Sequence, residues 1–230
     1  MSQVAYLEDS SVDHGERTKH RTDDLVVKNA MTYSIVGAGL VGKTLAGIFA
    51  RQGVDVLIAN SRGPESIADI AGELGPHITP VAVDRALDAD IIFFAVGFLS
   101  FKEVAAKRPD WTGKIVIDVT NAFMLPADVQ ERELHGRLSS EVNAQRVSGA
   151  KLVKAFNQLP MRALIAPLPD ATGRRVVFVA SDYEDASAAV SALAERLGFA
   201  PIQVGKLAEG GRLIQARAAL VFQNLIKYPM

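Results

Sequence analysis

Short runs that are apolar on both faces alternate, from Thr32 onward, with stretches whose apolar residues recur at helical spacing. The apolar runs predict strands at 33–36, 54–59, 78–82, 90–96, 114–119, 150–155, 175–180 and 200–204. The helical spacing predicts helices at 40–52, 64–74 and 183–197, and a long final helix at 206–227. Strands buried on both faces and separated by helices are typical of a parallel sheet covered on both sides. We therefore predict an α/β fold of the doubly wound Rossmann type, with a mainly parallel sheet.

The same pattern divides the chain into three parts. Residues 1–30 are dense in charge and poor in large apolar side chains, so they cannot bury enough surface to offset the entropy of ordering. They are predicted to be a flexible tail, with a partner-binding arm as the alternative. Residues 31–157 are predicted to form the Rossmann domain, and 158–230 a small C-terminal α/β portion that ends in the long helix.

Composition narrows the classes of function. The net charge of -1 over 230 residues argues against nucleic acid as a partner, and the chain shows no apolar run long enough to span a membrane. The absence of cysteine excludes thiolate chemistry and fits a cytoplasmic protein. The four histidines are scattered at 14, 20, 77 and 135, without the spacing of metal ligands or of an acid–base pair. We therefore predict no metal and no catalytic acid or base.

The turn after the first strand carries a glycine motif. Between strand and helix, the chain reads Gly37, Ala38, Gly39, Leu40, Val41, Gly42, which fits G-x-G-x-x-G. In such a turn the first glycine permits the tight bend, the second admits a pyrophosphate and the third allows close packing of helix on strand. The free N–H groups at the start of the helix favour an anion. These six residues are predicted to bind a dinucleotide.

The same stretch also fits a P-loop. Gly37, Gly42, Lys43 and Thr44 satisfy G-x-x-x-x-G-K-[ST], which would cradle the phosphates of a nucleotide. A P-loop gains nothing from an additional glycine at Gly39, however, so we favour the dinucleotide interpretation and keep a P-loop enzyme as an alternative.

The end of the second strand indicates which dinucleotide is bound. In a Rossmann unit this position meets the ribose, and a carboxylate there selects NAD. This chain instead has Asn60, Ser61 and Arg62. An amide, a hydroxyl and a guanidinium suit a 2′-phosphate, so the sequence predicts NADP(H). Thr120 and Asn121 follow the fifth strand at the same rim and are predicted to bond the ribose or nicotinamide.

Several of these segments resemble the NADP oxidoreductases that depend on coenzyme F-420. The same Rossmann type occurs in the cytosolic domain of the six-transmembrane ferric reductases. The resemblance is carried by 37–46, 60–66, 90–98, 114–123, 151–160 and 205–216, and it covers about 32–228. The chain departs from the family at Ser66, where members often have a basic residue, and in a long polar loop that is predicted at about 121–149.

The resemblance has implications for the site and the assembly. It implies that Ser61 and Arg62 contact the 2′-phosphate and that Val96, Gly97 and Phe98 lie near the nicotinamide. It also implies that Ala155, Phe156 and Asn157 lie near a deazaflavin, and that the protein is a homodimer.

The function predicted from residues and resemblance together is hydride transfer between NADP(H) and a small-molecule redox substrate, coenzyme F-420 being one candidate. Such a transfer needs proximity and orientation more than acid–base groups, which agrees with the absence of a catalytic pair. A non-catalytic NADP(H)-binding regulator is the main alternative.

Overall fold

The structure is a computed structural model that describes residues 31–122, 125–170 and 172–229. The predicted tail at 1–30 lies outside these residues. The strands are β1 (Tyr33–Val36), β2 (Val56–Ala59), β3 (Ile78–Pro80), β4 (Ile91–Phe94), β5 (Ile115–Asp118), β6 (Lys151–Ala155), β7 (Arg174–Ser181), β8 (Ala200–Gln203) and β9 (Ile226–Lys227). The helices are α1 (Leu40–Arg51), α2 (Ala68–Leu74), α3 (Val83–Ala86), α4 (Phe98–Ala105), α5 (Ala127–Leu134), α6 (Ser139–Arg146), α7 (Met161–Leu164), α8 (Glu184–Arg196) and α9 (Arg212–Ile214).

All described strands join one mixed sheet in the order β3-β2-β1-β4-β5-β6-β7-β8, with β9 paired to β7. Pairing is parallel from β3 through β6, β7 is antiparallel to β6, and β8 is parallel to β7. From β1 the strands are added outward to β3 on one side, and from β4 onward they are added on the other side. The order therefore reverses between β1 and β4, which is the point where doubly wound sheets bind ligands. The predicted Rossmann-type α/β fold is confirmed. The predicted domain boundary after residue 157 stays a prediction, and the sheet continues across it.

Two hydrophobic layers cover the sheet, because successive residues of a strand point to opposite faces. Ile35 and Phe93 face one layer, where α1 and α8 pack through residues such as Phe49. Val36 and Phe94 face the other layer. The central strands are therefore buried on both faces, as their continuous apolar sequence requires.

The predicted long final helix at 206–227 is wrong. The structure has a π-helical turn at Leu207–Gly211, the single-turn helix α9, and then turns that lead into β9. A Cβ atom at Gly210 would overlap the carbonyl group of Val204, so this glycine is required by close packing. Beyond α9, the backbone N–H groups of Leu220 and Phe222 bond to the carbonyl groups of Leu213 and Gln158. The backbone of this segment is therefore held partly by its own carbonyl groups and partly by that of the distant residue Gln158.

The polar stretch at 121–149, expected to be a loop, contains α5 and α6. These helices lack the apolar spacing that would predict them from the sequence. Helix α5 has no buried residue, and the buried residues of α6 are mostly polar: Ser139, Ser140 and Asn143, beside Val142. No helix in the described part of the chain is long and apolar enough to cross a membrane.

Candidate active site

The glycine turn lies at the reversal point of the sheet, between the carboxyl end of β1 and the start of α1. Gly37 has a φ of 111°, which favours glycine, and its N–H bonds to the carbonyl oxygen of Ala59 at 2.8 Å. A Cβ atom at Gly42 would overlap the carbonyl oxygen of Gly37, whereas one at Gly39 would meet no atom within 4 Å. The structure therefore needs Gly42 for packing and leaves open space in front of Gly39, as the close approach of a pyrophosphate would require.

The P-loop alternative finds little support in this turn. Thr44, which would have to ligate a metal ion, donates its hydroxyl to the carbonyl oxygen of Leu40 at 2.8 Å within α1. Lys43 is exposed on the same helix.

A second turn follows β2 and is organised by the side chain of Asn60. Its Oδ1 accepts the backbone N–H of Arg62 at 2.9 Å. Its Nδ2 donates to the hydroxyl of Ser66 at 2.9 Å, and that hydroxyl donates to the carbonyl oxygen of Gly63 at 2.8 Å. Ser66, a departure from the family pattern, thus closes the turn. Ser61 and Arg62 are left exposed at its tip.

One cavity of about 540 Å³ unites both turns. Of the residues predicted to bind the cofactor, it is lined by Gly37, Ala38, Gly39, Asn60, Ser61, Arg62, Val96 and Gly97. Leu40 is mostly exposed at the start of α1, and Gly42 is buried in the contact with β1. The cavity is large enough for part of a dinucleotide and joins an anion-binding helix start to a basic strand end.

The sequence did not identify the far wall of this cavity. Ser100, Glu103 and Lys107 line it from α4 and from the turn that follows. They carry no motif, and their only signal is their position on the helix that follows β4. Lys107 adds a second positive charge to the cavity that contains Arg62.

The rim formed by β5 and β6 is built on a buried ion pair. Asp118 and Lys154 are both completely buried, and Nζ of Lys154 lies 3.2 Å from Oδ2 of Asp118. Burial lowers the pKa of Lys154 from its ordinary value, and the Asp118 carboxylate opposes that effect. Thr120, which was predicted to bond the ribose or nicotinamide, is buried beside this ion pair. Its N–H, hydroxyl and carbonyl groups are all hydrogen-bonded within the protein.

The next residue along the rim, Asn121, forms a reciprocal pair with Asn157. Nδ2 of Asn121 donates to the carbonyl oxygen of Asn157 at 3.0 Å, and Nδ2 of Asn157 donates to Oδ1 of Asn121 at 3.1 Å. Nδ2 of Asn157 also donates to the carbonyl oxygen of Ile214 at 2.7 Å, which fixes the orientation of this amide. Oδ1 of Asn157 is consequently a buried acceptor without a partner among the described residues.

Both asparagines line a second, mainly apolar cavity of about 200 Å³, whose other walls are Leu159, Pro160, Ala216, Arg217, Val221 and Phe222. Ala216 and Arg217 also line a neighbouring cavity of about 370 Å³ that is bordered by α5 and by Arg137. The segment after α9 thus forms a wall of both cavities. Arg217 has a φ of 68°, a backbone conformation that is rare for residues other than glycine.

Three further predicted site residues, all of them apolar, also have side chains inside the protein. Ala155 and Phe156 are buried in the core, where the Phe156 ring lies 5.5 Å from that of Phe93. Phe98 packs on Ala122 and Val142, with the Arg146 guanidinium 4.7 Å above its ring. Phe98 is the first residue of α4, and Phe156 lies in the bend directly after β6, with a φ of 59°. Of the predicted second-substrate residues, Asn157 is the one that lines a cavity.

A doubly wound sheet with a glycine turn at its reversal point defines a Rossmann-type protein. The sequence profile of the family described as NADP oxidoreductase, coenzyme F-420-dependent, matches residues 32–122. This match confirms the resemblance predicted from the sequence, over the part of the chain that runs from β1 to the loop after β5.

Three known proteins are similar to this chain over most of its length. A hypothetical protein from Sinorhizobium meliloti, of known crystal structure, is 39% identical with a TM-score of 0.81, over 89% of this chain and 100% of that one. A putative F-420-dependent NADP reductase from Arthrobacter is 25% identical with a TM-score of 0.62, over 77% and 86% of the two chains. The metalloreductase STEAP3 of Rattus norvegicus is 30% identical over 80% of this chain and 36% of its own length. The chain thus spans about a third of the curated relatives that it matches.

Proposed function

We propose that this protein binds NADP(H) in the cavity of about 540 Å³ and transfers a hydride between NADP(H) and a second small-molecule redox substrate. The observation that carries the proposal is the union, in one cavity, of the glycine turn with the strand-end turn that bears Ser61 and Arg62. A pyrophosphate fits the open space at Gly39, and a 2′-phosphate fits the exposed guanidinium of Arg62. The match of residues 32–122 to the family described as NADP oxidoreductase supports the same cofactor.

The second substrate is proposed to bind in the cavity of about 200 Å³ beside Asn121 and Asn157. The walls are largely apolar, as a flat redox-active ring requires, and the polar residues of the lining are Asn121, Asn157 and Arg217. Coenzyme F-420, named in the descriptions of the family and of the Arthrobacter relative, is the first candidate. The name of STEAP3 makes a metal chelate the next one to test.

The chemistry assigned to the protein itself is binding and orientation. Bound NADPH supplies the hydride, so the chain's residues need to hold the two ligands and to exclude water. Val96 and Gly97 border the cofactor cavity after β4, and Asn121 borders the substrate cavity after β5, the adjacent strand. Two ligands bound at the ends of these neighbouring strands would lie side by side, and a hydride would pass between them without an acid or base.

The decisive experiment titrates NADPH and NADH into the purified protein and then follows the absorbance of oxidised F-420 in the presence of NADPH. We expect a strong preference for NADPH and reduction of the deazaflavin. Preference for NADPH without turnover of F-420, flavins, quinones or ferric chelates would favour the non-catalytic regulator. Binding of neither dinucleotide, with magnesium-dependent binding of ATP, would favour the P-loop alternative. The homodimer and the cytoplasmic location stay predictions, and gel filtration at several concentrations tests the first.

A further inference from the structure

A buried polar network lies beneath the carboxyl ends of β5 and β6, outside the glycine and strand-end turns. Its charged centre, Asp118 and Lys154, is completely shielded from solvent. Removing two charges from water is so unfavourable that a buried ion pair contributes little net stability compared with apolar residues of the same size. A contribution to the stability of the fold therefore does not explain why this ion pair is present. The groups that the pair contacts suggest another role.

The pair and its neighbour Asn143 hold every polar group of Thr120. Oδ1 of Asp118 accepts the Thr120 N–H at 2.8 Å, and Nζ of Lys154 donates to the Thr120 carbonyl oxygen. Nδ2 of Asn143, on α6, lies 3.2 Å from the Thr120 hydroxyl and 3.1 Å from Oδ2 of Asp118. Backbone and side chain of Thr120 are thus fixed together, and with them the position of Asn121 at the proposed substrate cavity.

The network also reaches the cofactor side. Nη1 of Arg146 donates to Oδ1 of Asn143 at 3.1 Å and to the carbonyl oxygen of Phe98 at 3.2 Å. Phe98 directly follows Gly97, which lines the proposed cofactor cavity. Glu133 on α5 neutralises Arg146 through a contact of 3.1 Å. A continuous chain of polar contacts therefore joins the loop after β4 to the loop after β5.

We infer that Lys154, Asp118, Asn143 and Arg146 are positioning residues that set the distance between the two ligands during hydride transfer. The inference rests on the proposed function and deepens it, because it assigns to the helical insertion α5–α6 the task of holding both ligand-binding loops in register. None of these four residues is required to touch a ligand. Their effect passes through Thr120 and Asn121 on one side and through Phe98 on the other.

The test replaces the ion pair with apolar residues of similar size in the double variant Lys154→Met/Asp118→Leu. Such a replacement tends to preserve stability, whereas Lys154→Met alone leaves a buried unpaired carboxylate. The matched control is Lys151→Met, which removes a lysine from the same strand, where it pairs with Asp185 at the surface. Melting temperature, NADPH affinity, kcat and KM for the acceptor, and hydrogen–deuterium exchange of the peptide that covers 119–122 are measured for each protein.

For the double variant we expect a melting temperature nearer to wild type than that of the single variant, and NADPH affinity within about threefold of wild type. We expect kcat to fall by about 10- to 100-fold, with a larger primary isotope effect from 4-deuterated NADPH and faster exchange at 119–122. Wild-type kcat, isotope effect and exchange in the folded double variant would overturn the inference. If wild type binds NADPH but reduces no acceptor, the proposed function fails while exchange at 119–122 still decides whether the pair holds this loop.

Discussion

Oδ1 of Asn60 accepts the backbone N–H of Arg62 at 2.9 Å, so the side chain of Asn60 fixes the backbone position of Arg62 in the strand-end turn. The amide is thereby used for the turn itself, and the exposed groups at the tip are the hydroxyl of Ser61 and the guanidinium of Arg62. Recognition of the proposed 2′-phosphate therefore falls mainly to these two side chains.

Replacing Arg62 with alanine should weaken NADPH much more than NADH. The guanidinium is the charged donor at the place where the 2′-phosphate is expected, and a charge-assisted hydrogen bond contributes about 1.5–3 kcal/mol. The measurement is a pair of fluorescence titrations with the two cofactors. Arg51→Ala, which removes an exposed arginine from the end of α1, is the control and should change neither affinity. Equal losses for both cofactors in Arg62→Ala would show that Arg62 does not bind the 2′-phosphate.

Asn60→Asp should shift the preference toward NADH. A carboxylate oxygen still accepts the Arg62 N–H, so the turn is kept, but the new negative charge repels a 2′-phosphate and can bond a ribose hydroxyl. At about 5 Å the repulsion amounts to about 1–3 kcal/mol for an effective dielectric constant between 80 and 20. The ratio of the two dissociation constants is measured. Asn60→Ala opens the turn without adding charge, so it should weaken NADPH without the gain in NADH affinity that is expected of Asn60→Asp. An unchanged ratio in Asn60→Asp would place the phosphate away from this turn.

The central sheet could be predicted from the sequence because burial on both faces leaves a continuous apolar run, as in Ile91–Phe94. The C-terminal segment could not be predicted, because its apolar residues are spaced for a helix. Its path depends instead on the close contact of Gly210 with Val204 and on a bond from the Phe222 N–H to the carbonyl oxygen of Gln158, which is distant in sequence. Helix α6 was missed for a related reason. Its buried face carries Asn143, whose partners Asp118 and Thr120 are distant in sequence.

The candidate site divides in the same way. The residues of the glycine turn and of 60–62 are contiguous, and their chemistry follows from a local pattern. Lys107 and Arg217 reach their cavities through tertiary packing, so single positions in the sequence do not reveal them. Lys154 illustrates the limit most clearly, since a lysine at a strand end is usually solvated, but this one is completely buried against Asp118.

Gly39→Val and Gly42→Val should separate binding from folding. A side chain at Gly42 would overlap the Gly37 carbonyl group, so Gly42→Val should lower the free energy of unfolding by about 3 kcal/mol or more. A side chain at Gly39 meets no protein atom within 4 Å, so Gly39→Val should fold normally. It should nevertheless lose NADPH and NADH binding by more than about 100-fold, because it fills the space that the pyrophosphate needs.

Thermal melts and titrations of the two glycine variants provide the comparison. A stable Gly42→Val would contradict the close contact between α1 and β1. A Gly39→Val protein that binds NADPH normally would show that the pyrophosphate does not lie against this turn.

Arg217→Ala should raise the KM for an anionic acceptor and leave NADPH affinity unchanged. Arg217 stands where the two cavities beside Asn157 adjoin, and its positive φ is a strained conformation of the kind that tertiary contacts maintain at ligand sites. Since the side chain is exposed, the loss should be about 2- to 5-fold, the range of a solvated ion pair. FMN and riboflavin are a suitable pair of acceptors, because they share one redox ring and differ in a phosphate. We expect the variant to lose selectivity for FMN, whereas Arg212→Ala, an exposed arginine on α9 outside both cavities, should keep it. A KM that rises equally for FMN and riboflavin would indicate that Arg217 shapes the cavity wall without binding the anionic group.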